Sequence, residues 1–260
     1  MKERVRLWQW AIVVAVAIWL VAPTLVVVPL SLTDRDSFAF PPKGWSLKYY
    51  EIFFTEPSWR NALLTSVQIA FEVTVVATTL GTAAAFALTR SRFKGKSVVN
   101  AALMAPMIVP GIVAAVAIFA AFLKWRLVGD PVGFILAHTV LAIPFVVVSV
   151  TASLEHFDRD LERAAAALGS GPLTTFRLVT LRLIMPGILS GAVFAFVTSF
   201  DEVVVALYLS DPIVRTLPVQ MYTSSTSETD PTIAAASTVI LSATTALVLL
   251  PQLFRRVKDD

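Results

Sequence analysis

The sequence predicts an all-α integral membrane protein, and three observations carry that prediction. Hydrophobic residues make up 57% of the 260, and only 15% are charged. Mean hydropathy is +0.76, a balance that soluble domains of this length do not usually show. The apolar residues also gather into six runs of about twenty residues or more, each long enough to cross a hydrocarbon core of roughly 30 Å as a helix. A helix satisfies its own backbone polar groups, which lipid cannot do. Cysteine is absent, so disulfides and thiolate metal ligands do not enter the account.

Each run has its own character. The first, 8–30, has basic flanks like a signal peptide. Its apolar stretch continues through Pro23 and Pro29 without a small-residue cleavage site, so it reads as a retained anchor. The segment 31–60 mixes charge with Trp45, Tyr49, Tyr50, Phe53 and Phe54, which suits a helix lying at the membrane surface. The second run, 61–88, carries Glu72. If it enters near Asn61, Glu72 lies roughly 16 Å deep. A carboxylate at mid-membrane costs on the order of 2.5–3.5 kcal/mol, so it is rarely idle. The third run, 98–123, contains Pro106 and Pro110, and the fourth, 133–153, contains Pro144 and His138. These prolines interrupt the helical hydrogen-bond ladder, either as in the discontinuous helices of transport sites or, as readily for any single proline, as static kinks for packing. His138 reads as a packed, hydrogen-bonded residue. The fifth run, 183–209, repeats small residues at Gly187, Gly191 and Ala195, a spacing that lets two helix backbones approach closely. Its Asp201 and Glu202 sit about 27 Å up the helix, near the edge of the hydrocarbon. Neighbours on a helix point about 100° apart, so the two acids do not face one path together. The sixth run is 232–254.

Charge sets the orientation. Fourteen of the 21 basic residues fall on one side if both termini are cytoplasmic: those near Lys2–Arg6, Arg90–Lys96, Arg159–Arg182 and Arg255–Lys258. That two-to-one excess is the positive-inside bias. The expected organisation is a first helix and outer interfacial segment at 1–60, a core of five helices at 61–254, and a cytoplasmic tail at 255–260.

The most informative stretch is the polar loop 159–186 between the fourth and fifth runs, placed on the cytoplasmic side by this orientation. Leu161, Ala164, Ala165 and Leu168 fall at i, i+3, i+4 and i+7 and predict one apolar face of a short helix. Glu162 and Arg163 lie off that face. Gly169 and Gly171 mark the end of the helix, and Pro172 cannot continue it. A second helical piece, 173–180, includes Phe176 and returns the chain to the bilayer. An apolar stripe on a polar loop must be covered, by headgroups or by a partner's groove.

Ala164-Ala165, Gly169 and Ile184-Met185-Pro186 together resemble the cytoplasmic motif of ATP-binding-cassette importer permeases. Members of that family usually carry Glu immediately before the two alanines. Here Arg163 takes that place and Glu162 precedes it. The resemblance implies the type I importer transmembrane fold, with six membrane helices and a coupling helix near 159–180. In that helix Leu161, Glu162, Arg163, Ala164, Ala165, Leu168, Gly169 and Phe176 would meet the ATPase. Ser199-Phe200-Asp201-Glu202, Thr216-Leu217-Pro218-Val219 and the phrase FPPKGWSLKYY are similar to the spermidine/putrescine branch. That branch implies a substrate path near Glu72, Phe200, Asp201, Glu202 and Tyr208, where acids and aromatics suit a cationic amine. The equal alternative for Asp201 and Glu202 is to cap or brace an outer gate and pair with an arginine of a partner subunit.

The implied assembly comprises a second permease, identical or homologous, two cytoplasmic ATP-binding subunits, an outer solute-binding protein and a bacterial inner membrane. ATP and Mg would be bound by the ATPases, because this chain has no G-x-x-x-x-G-K-[ST] loop. It is therefore not expected to be an enzyme. No metal site is expected, and two histidines in separate segments do not make one. A sequence pI near 9.3 does not point to nucleic acid, since the basic residues are scattered. An ion-coupled secondary transporter is the alternative, but it would usually show internal repeats, and none is present.

Overall fold

A computed structural model describes residues 7–227 and 230–256. Among them no β-strand forms, and one isolated bridge pairs Thr33 with Trp45. In chain order the helices are α1 (Leu7–Ser31), α2 (Lys48–Thr55), α3 (Pro57–Arg90), α4 (Lys96–Ile108), α5 (Gly111–Trp125) and α6 (Pro131–Glu155). They continue with α7 (Asp160–Ala167), α8 (Pro172–Thr175), a π-helical turn (Phe176–Thr180), α9 (Leu181–Phe200), α10 (Val204–Leu209), α11 (Leu217–Ser227) and α12 (Thr232–Arg256). All but Arg255 and Arg256 of the expected tail lies outside the described residues.

Four of the expected spans are single helices long and apolar enough to cross a membrane: Trp8–Ser31, Pro57–Arg90, Pro131–Glu155 and Pro172–Phe200. The others depart from the simple expectation. The third run is not one rod but α4 and α5, bent by 107°. Proline is the physical reason. Val109, restricted by the proline after it, takes ψ 128, and Pro110 takes ψ 132, so two extended residues turn the chain between helices. Pro144, by contrast, leaves α6 unbroken from Pro131 to Glu155. The fifth, although a single span, differs from its expected bounds. It begins earlier than expected, at Pro172, and ends at Phe200, so Asp201 and Glu202 lie past the helix rather than on it. In the sixth run the apolar helix whose side chains are described is Thr232–Ala246.

The chain forms two compact units. One comprises Met1–Arg60 with Gln220–Asp260, the other Asn61–Val219. In the first, α12 packs on α1 and α2. Ser31 and Tyr50 share a hydroxyl hydrogen bond of 2.6 Å. The expected row of surface aromatics divides here. Trp45, which precedes α2, is exposed; within α2 Phe54 is exposed but Tyr49 and Phe53 are buried, because the helix turns one face inward.

The second unit holds the continuous apolar core, centred on α3, α6 and α9 through residues such as Val73, Ala77, Val146, Val150, Ile184 and Ala195. Small residues permit its closest approach. A Cβ on Gly187 would lie 2.1 Å from Ser153 Oγ, and one on Gly191 would lie 3.1 Å from Val146 Cα. The Gly187–Gly191–Ala195 stripe therefore seats α9 against α6.

Candidate functional site

The loop after α6 is built from local signals. Asp158 Oδ1 accepts the Asp160 N–H at 2.9 Å as α7 begins. At its far end Gly169 sits at φ +85. Its N–H reaches the Ala166 carbonyl at 2.9 Å, and the Ser170 N–H reaches that of Ala165 at 3.0 Å. This double closure is the Schellman stop that glycine favours. Gly171 is different, with φ −70 and an extended ψ of 161. Pro172 then opens α8, and the π-helical turn feeds directly into α9. Such turns insert one extra residue into a helix and recur at functional positions.

Glu162 fixes this loop to the rest of its unit. Its carboxylate accepts two hydrogen bonds from Arg90 Nη1, at 2.7 and 3.0 Å, and another from the Thr180 hydroxyl. Three segments thus meet at one side chain: the end of α3, the first turn of α7 and the π-helical turn. Arg90 lies over the Phe86 ring at 5.1 Å and the Phe157 ring at 5.4 Å. Phe176 meets Phe86 edge-on at 5.4 Å. The Arg90 and Glu162 side chains are 26% and 23% exposed, so the pair is partly shielded from water. Burial alone would raise the Glu162 pKa. The Thr180 hydroxyl and the Arg90 guanidinium outweigh it and hold the carboxyl below its ordinary value.

The apolar stripe of α7 faces away from this brace. Leu161, Ala164 and Leu168 are exposed, Leu168 to 90%, and Ala165 is half-buried. Leu173 and Leu178 extend the exposed apolar surface. Arg163 points outward and pairs with Asp160 at 2.6 Å, an exposed contact of small energetic weight. The acid with an internal partner is therefore Glu162, one place before the usual position. Arg90, Thr180, Phe86 and Phe157 were not singled out from the sequence as parts of this site. Arg90 was visible there only as one charge in the orientation bias.

The other expected site residues are dispersed. Glu72 is near the middle of α3, about 22 Å from Pro57. It is not sequestered within the chain. It is half-buried and accepts a hydrogen bond from Gln68 Nε2 at 3.0 Å, one helical turn earlier. Phe200 is buried and stacks on Phe196 at 5.7 Å. Tyr208 packs against Phe119 at 5.8 Å. Asp201 caps the end of α9 and is exposed. Glu202 turns inward and accepts the Val205 and Ala206 N–H groups at 2.9 and 2.8 Å, capping α10. Glu202 Oε2 lies 3.7 Å from Nε2 of the fully buried His138, whose Nδ1 is 2.9 Å from Ser199 Oγ. His138 is thus the packed, hydrogen-bonded residue expected. Its approach to Glu202 joins α6 to the segment after α9, and no sequence pattern signalled it.

Comparison with known proteins gives the family. Residues 77–259 match the family described as binding-protein-dependent transport system inner membrane component. The chain is 34% identical over 241 residues to the spermidine/putrescine transport system permease protein PotC of Haemophilus influenzae, covering 92% of each. It is 31% identical over 243 residues to the putrescine transport system permease protein PotI of Escherichia coli, covering 91% of this chain and 86% of that one. Among solved structures, a bacterial ABC transporter that imports the acidic polysaccharide alginate matches with a TM-score of 0.72. The match covers 96% of both chains at 14% identity, a likeness of fold alone.

Proposed function

The chain belongs to the family of binding-protein-dependent transport system inner membrane components, and from that premise we propose that it is one permease subunit of an ATP-driven polyamine importer. Membership makes it a multi-pass transport component of the bacterial inner membrane rather than an enzyme, and it removes the ion-coupled carrier as an alternative. The partners in this reading are a second permease, two cytoplasmic ATPases and an outer solute-binding protein.

The observation that carries the reading is the division of labour within α7. One side, through Glu162, is tied to Arg90 and Thr180. The other presents Leu161 and Leu168 bare. A helix held from behind and apolar in front can pass a partner's movement into α3 and α9, because its tie to them does not slip. Closure of the ATPases would push on Leu161, Ala164, Ala165, Leu168 and Phe176, and the spans would shift between inward- and outward-open arrangements. Substrate biases that equilibrium only by binding the two states unequally. Both termini are cytoplasmic in this reading, and six spans result if α4–α5 and α12 each count as one.

For the path, Glu72, half-buried at mid-helix, is the leading residue. A charge there requires a protein partner or a water-filled passage. Asp201 is exposed beyond α9 and suits an outer gate. Glu202, Phe200 and Tyr208 shape that corner from within. The polyamine cargo is supported by the permeases named above and by the acidic and aromatic character of these positions.

Reconstitution of the complex in proteoliposomes with its ATPases and binding protein tests the reading. ATP-dependent accumulation of radiolabelled putrescine or spermidine is expected. Uptake that persists without ATP, or none with either amine, would overturn it.

A further inference from the structure

Helix α3 carries a polar stripe that the coupling loop does not use. Asn61, Thr65, Gln68, Glu72 and Thr79 recur at spacings of four, three, four and seven. At about 100° per residue these positions fall within about 60° of arc, on one side of the helix. All five are exposed or half-buried. Ile69, Val73 and Ala77 of the same helix point to another side and enter the core of the second unit. Beside the stripe, Leu64 and Phe71 are exposed, apolar side chains of the kind that lipid accepts.

The stripe is long enough to matter. From Asn61 to Thr79 it runs about 27 Å along the axis, close to the roughly 30 Å of a hydrocarbon core. It lies on a helix long and apolar enough to cross a membrane. Lipid offers amides and hydroxyls no partner, and it makes a carboxylate costly. Gln68 Nε2 donates to Glu72 Oε1 at 3.0 Å, which aligns the carboxylate with the stripe. Among the described residues Glu72 Oε2 accepts no hydrogen bond. The Thr79 hydroxyl donates to the Val75 carbonyl at 2.7 Å, so its proton is used and its oxygen can still accept.

We propose that this stripe is one wall of a water-filled lane along which the ammonium groups of an aliphatic di- or polyamine cross the membrane, with Glu72 as the midway station. The stripe offers acceptors at each step: the Asn61 and Gln68 carbonyls, the Thr65 and Thr79 hydroxyl oxygens and the Glu72 carboxylate. An –NH₃⁺ group brings three donors and no acceptor, so it can pass from one of these to the next. A single carboxylate among neutral neighbours attracts a cation and still releases it, as conduction requires. An anion would meet no cation along the stripe. The turn after Glu72 is apolar, with Val75 and Val76 exposed, which suits the methylene body between the charged ends of such an amine. The free Glu72 oxygen favours water and a passing cation over a dry protein contact, where an unpaired carboxylate would be destabilising.

This inference rests on the importer reading, in which a second permease supplies the opposite wall, and the test separates the two. The chain has no cysteine, so a single introduced thiol reports its own surroundings. Asn61→Cys, Thr65→Cys, Gln68→Cys and Thr79→Cys are compared with Leu64→Cys and Phe71→Cys in the complete permease–ATPase complex in nanodiscs, with and without ATP. Each is treated with a trimethylammonium methanethiosulfonate, and labelling of this chain is read by mass spectrometry. A thiol reacts as its thiolate, which lipid disfavours. The four polar positions should therefore react about tenfold faster than the two apolar ones in at least one nucleotide state. Putrescine should slow the reaction of Gln68→Cys about threefold, and adding Glu72→Gln should remove that protection. Equal rates in the two sets, or no reaction at the four polar positions, overturns the lane. If uptake through the solute-binding protein persists in that case, the importer reading stands and the stripe packs against the second permease. Absence of protection in a complex that accumulates putrescine also overturns the proposal. Fast reaction at the polar positions in a complex that takes up no polyamine would instead keep the water-filled lane and sink the cargo assignment.

Discussion

The helical rod from Pro172 to Phe200 has a glutamate at each end, and the two are used in opposite ways. At one end Glu162 reaches across the fold to a guanidinium from α3 and a hydroxyl from the π-helical turn. At the other, Glu202 commits its carboxylate to backbone amides of the next few residues. It approaches His138 only to 3.7 Å, beyond hydrogen-bond reach. The first end is cross-linked by side chains distant in sequence, and the second is capped locally. A cross-link transmits displacement between elements, whereas a cap stabilises one element and leaves its neighbours free. In the reading proposed above, the first end would be the driven one and the second the gate.

The contrast breaks most directly at Arg90. Arg90→Ala leaves the Glu162 carboxylate partly buried without its cation and should cost about 2–3 kcal/mol of stability. ATP-driven uptake should fall below about a tenth of wild type. Thermal unfolding and proteoliposome transport check both, and a fully coupled Arg90→Ala transporter would show that the brace is ornamental. Leu168→Asp should change stability by less than about 0.5 kcal/mol, since the side chain lies in solvent. It should nevertheless weaken association with the ATPase subunit about tenfold, as read by co-purification. Normal association would move the docking face elsewhere.

A third comparison concerns depth. Glu72→Gln should reduce the rate of uptake about tenfold and Asp201→Asn about twofold or less, because a mid-helix charge has fewer alternatives to its partner than one near water. Equal or reversed effects in the same assay would transfer the decisive role to the gating end. A fourth rests on backbone geometry. Gly169→Ala should cost about 1 kcal/mol, since φ +85 is unfavourable to any side chain. Gly171→Ala should be neutral within about 0.5 kcal/mol, because its φ is ordinary and nothing lies within 4 Å of a new Cβ. The smallest effect is in pH. The Glu162 carboxyl is lowered from its ordinary 4.5, so its contribution is complete above that value and fades as pH falls through the folded-state pKa. Thermal midpoints of wild type and Glu162→Gln should therefore differ at neutral pH and converge in acid. A gap independent of pH would assign the effect to packing.

Much of this was legible in the sequence because its cause is local. The π-helical turn aside, the loop helix, its stop at Gly169 and the start of the next piece at Pro172 follow from backbone preferences of adjacent residues. Proline placement announced the break of the third run, although not its angle of 107°. That angle depends on two consecutive extended residues at 109 and 110. Pro144, like Pro106, stays inside its helix, where it removes a ladder hydrogen bond without ending the helix. Hydropathy drew Asp201 and Glu202 into a helix that ends one residue before them, since it runs on through 209 while the backbone does not.

What the sequence determined by itself was the class of the molecule and the face it offers: apolar runs of membrane length, and a loop helix with one apolar side. Both are set by the order of residues along the chain, through hydropathy and helical period. What only the tertiary structure decided was which polar groups meet. Arg90 finds Glu162 and His138 nears Glu202 across long stretches of chain. Such meetings depend on how helices pack, and helix packing is settled by the shapes of many side chains at once rather than by any local pattern.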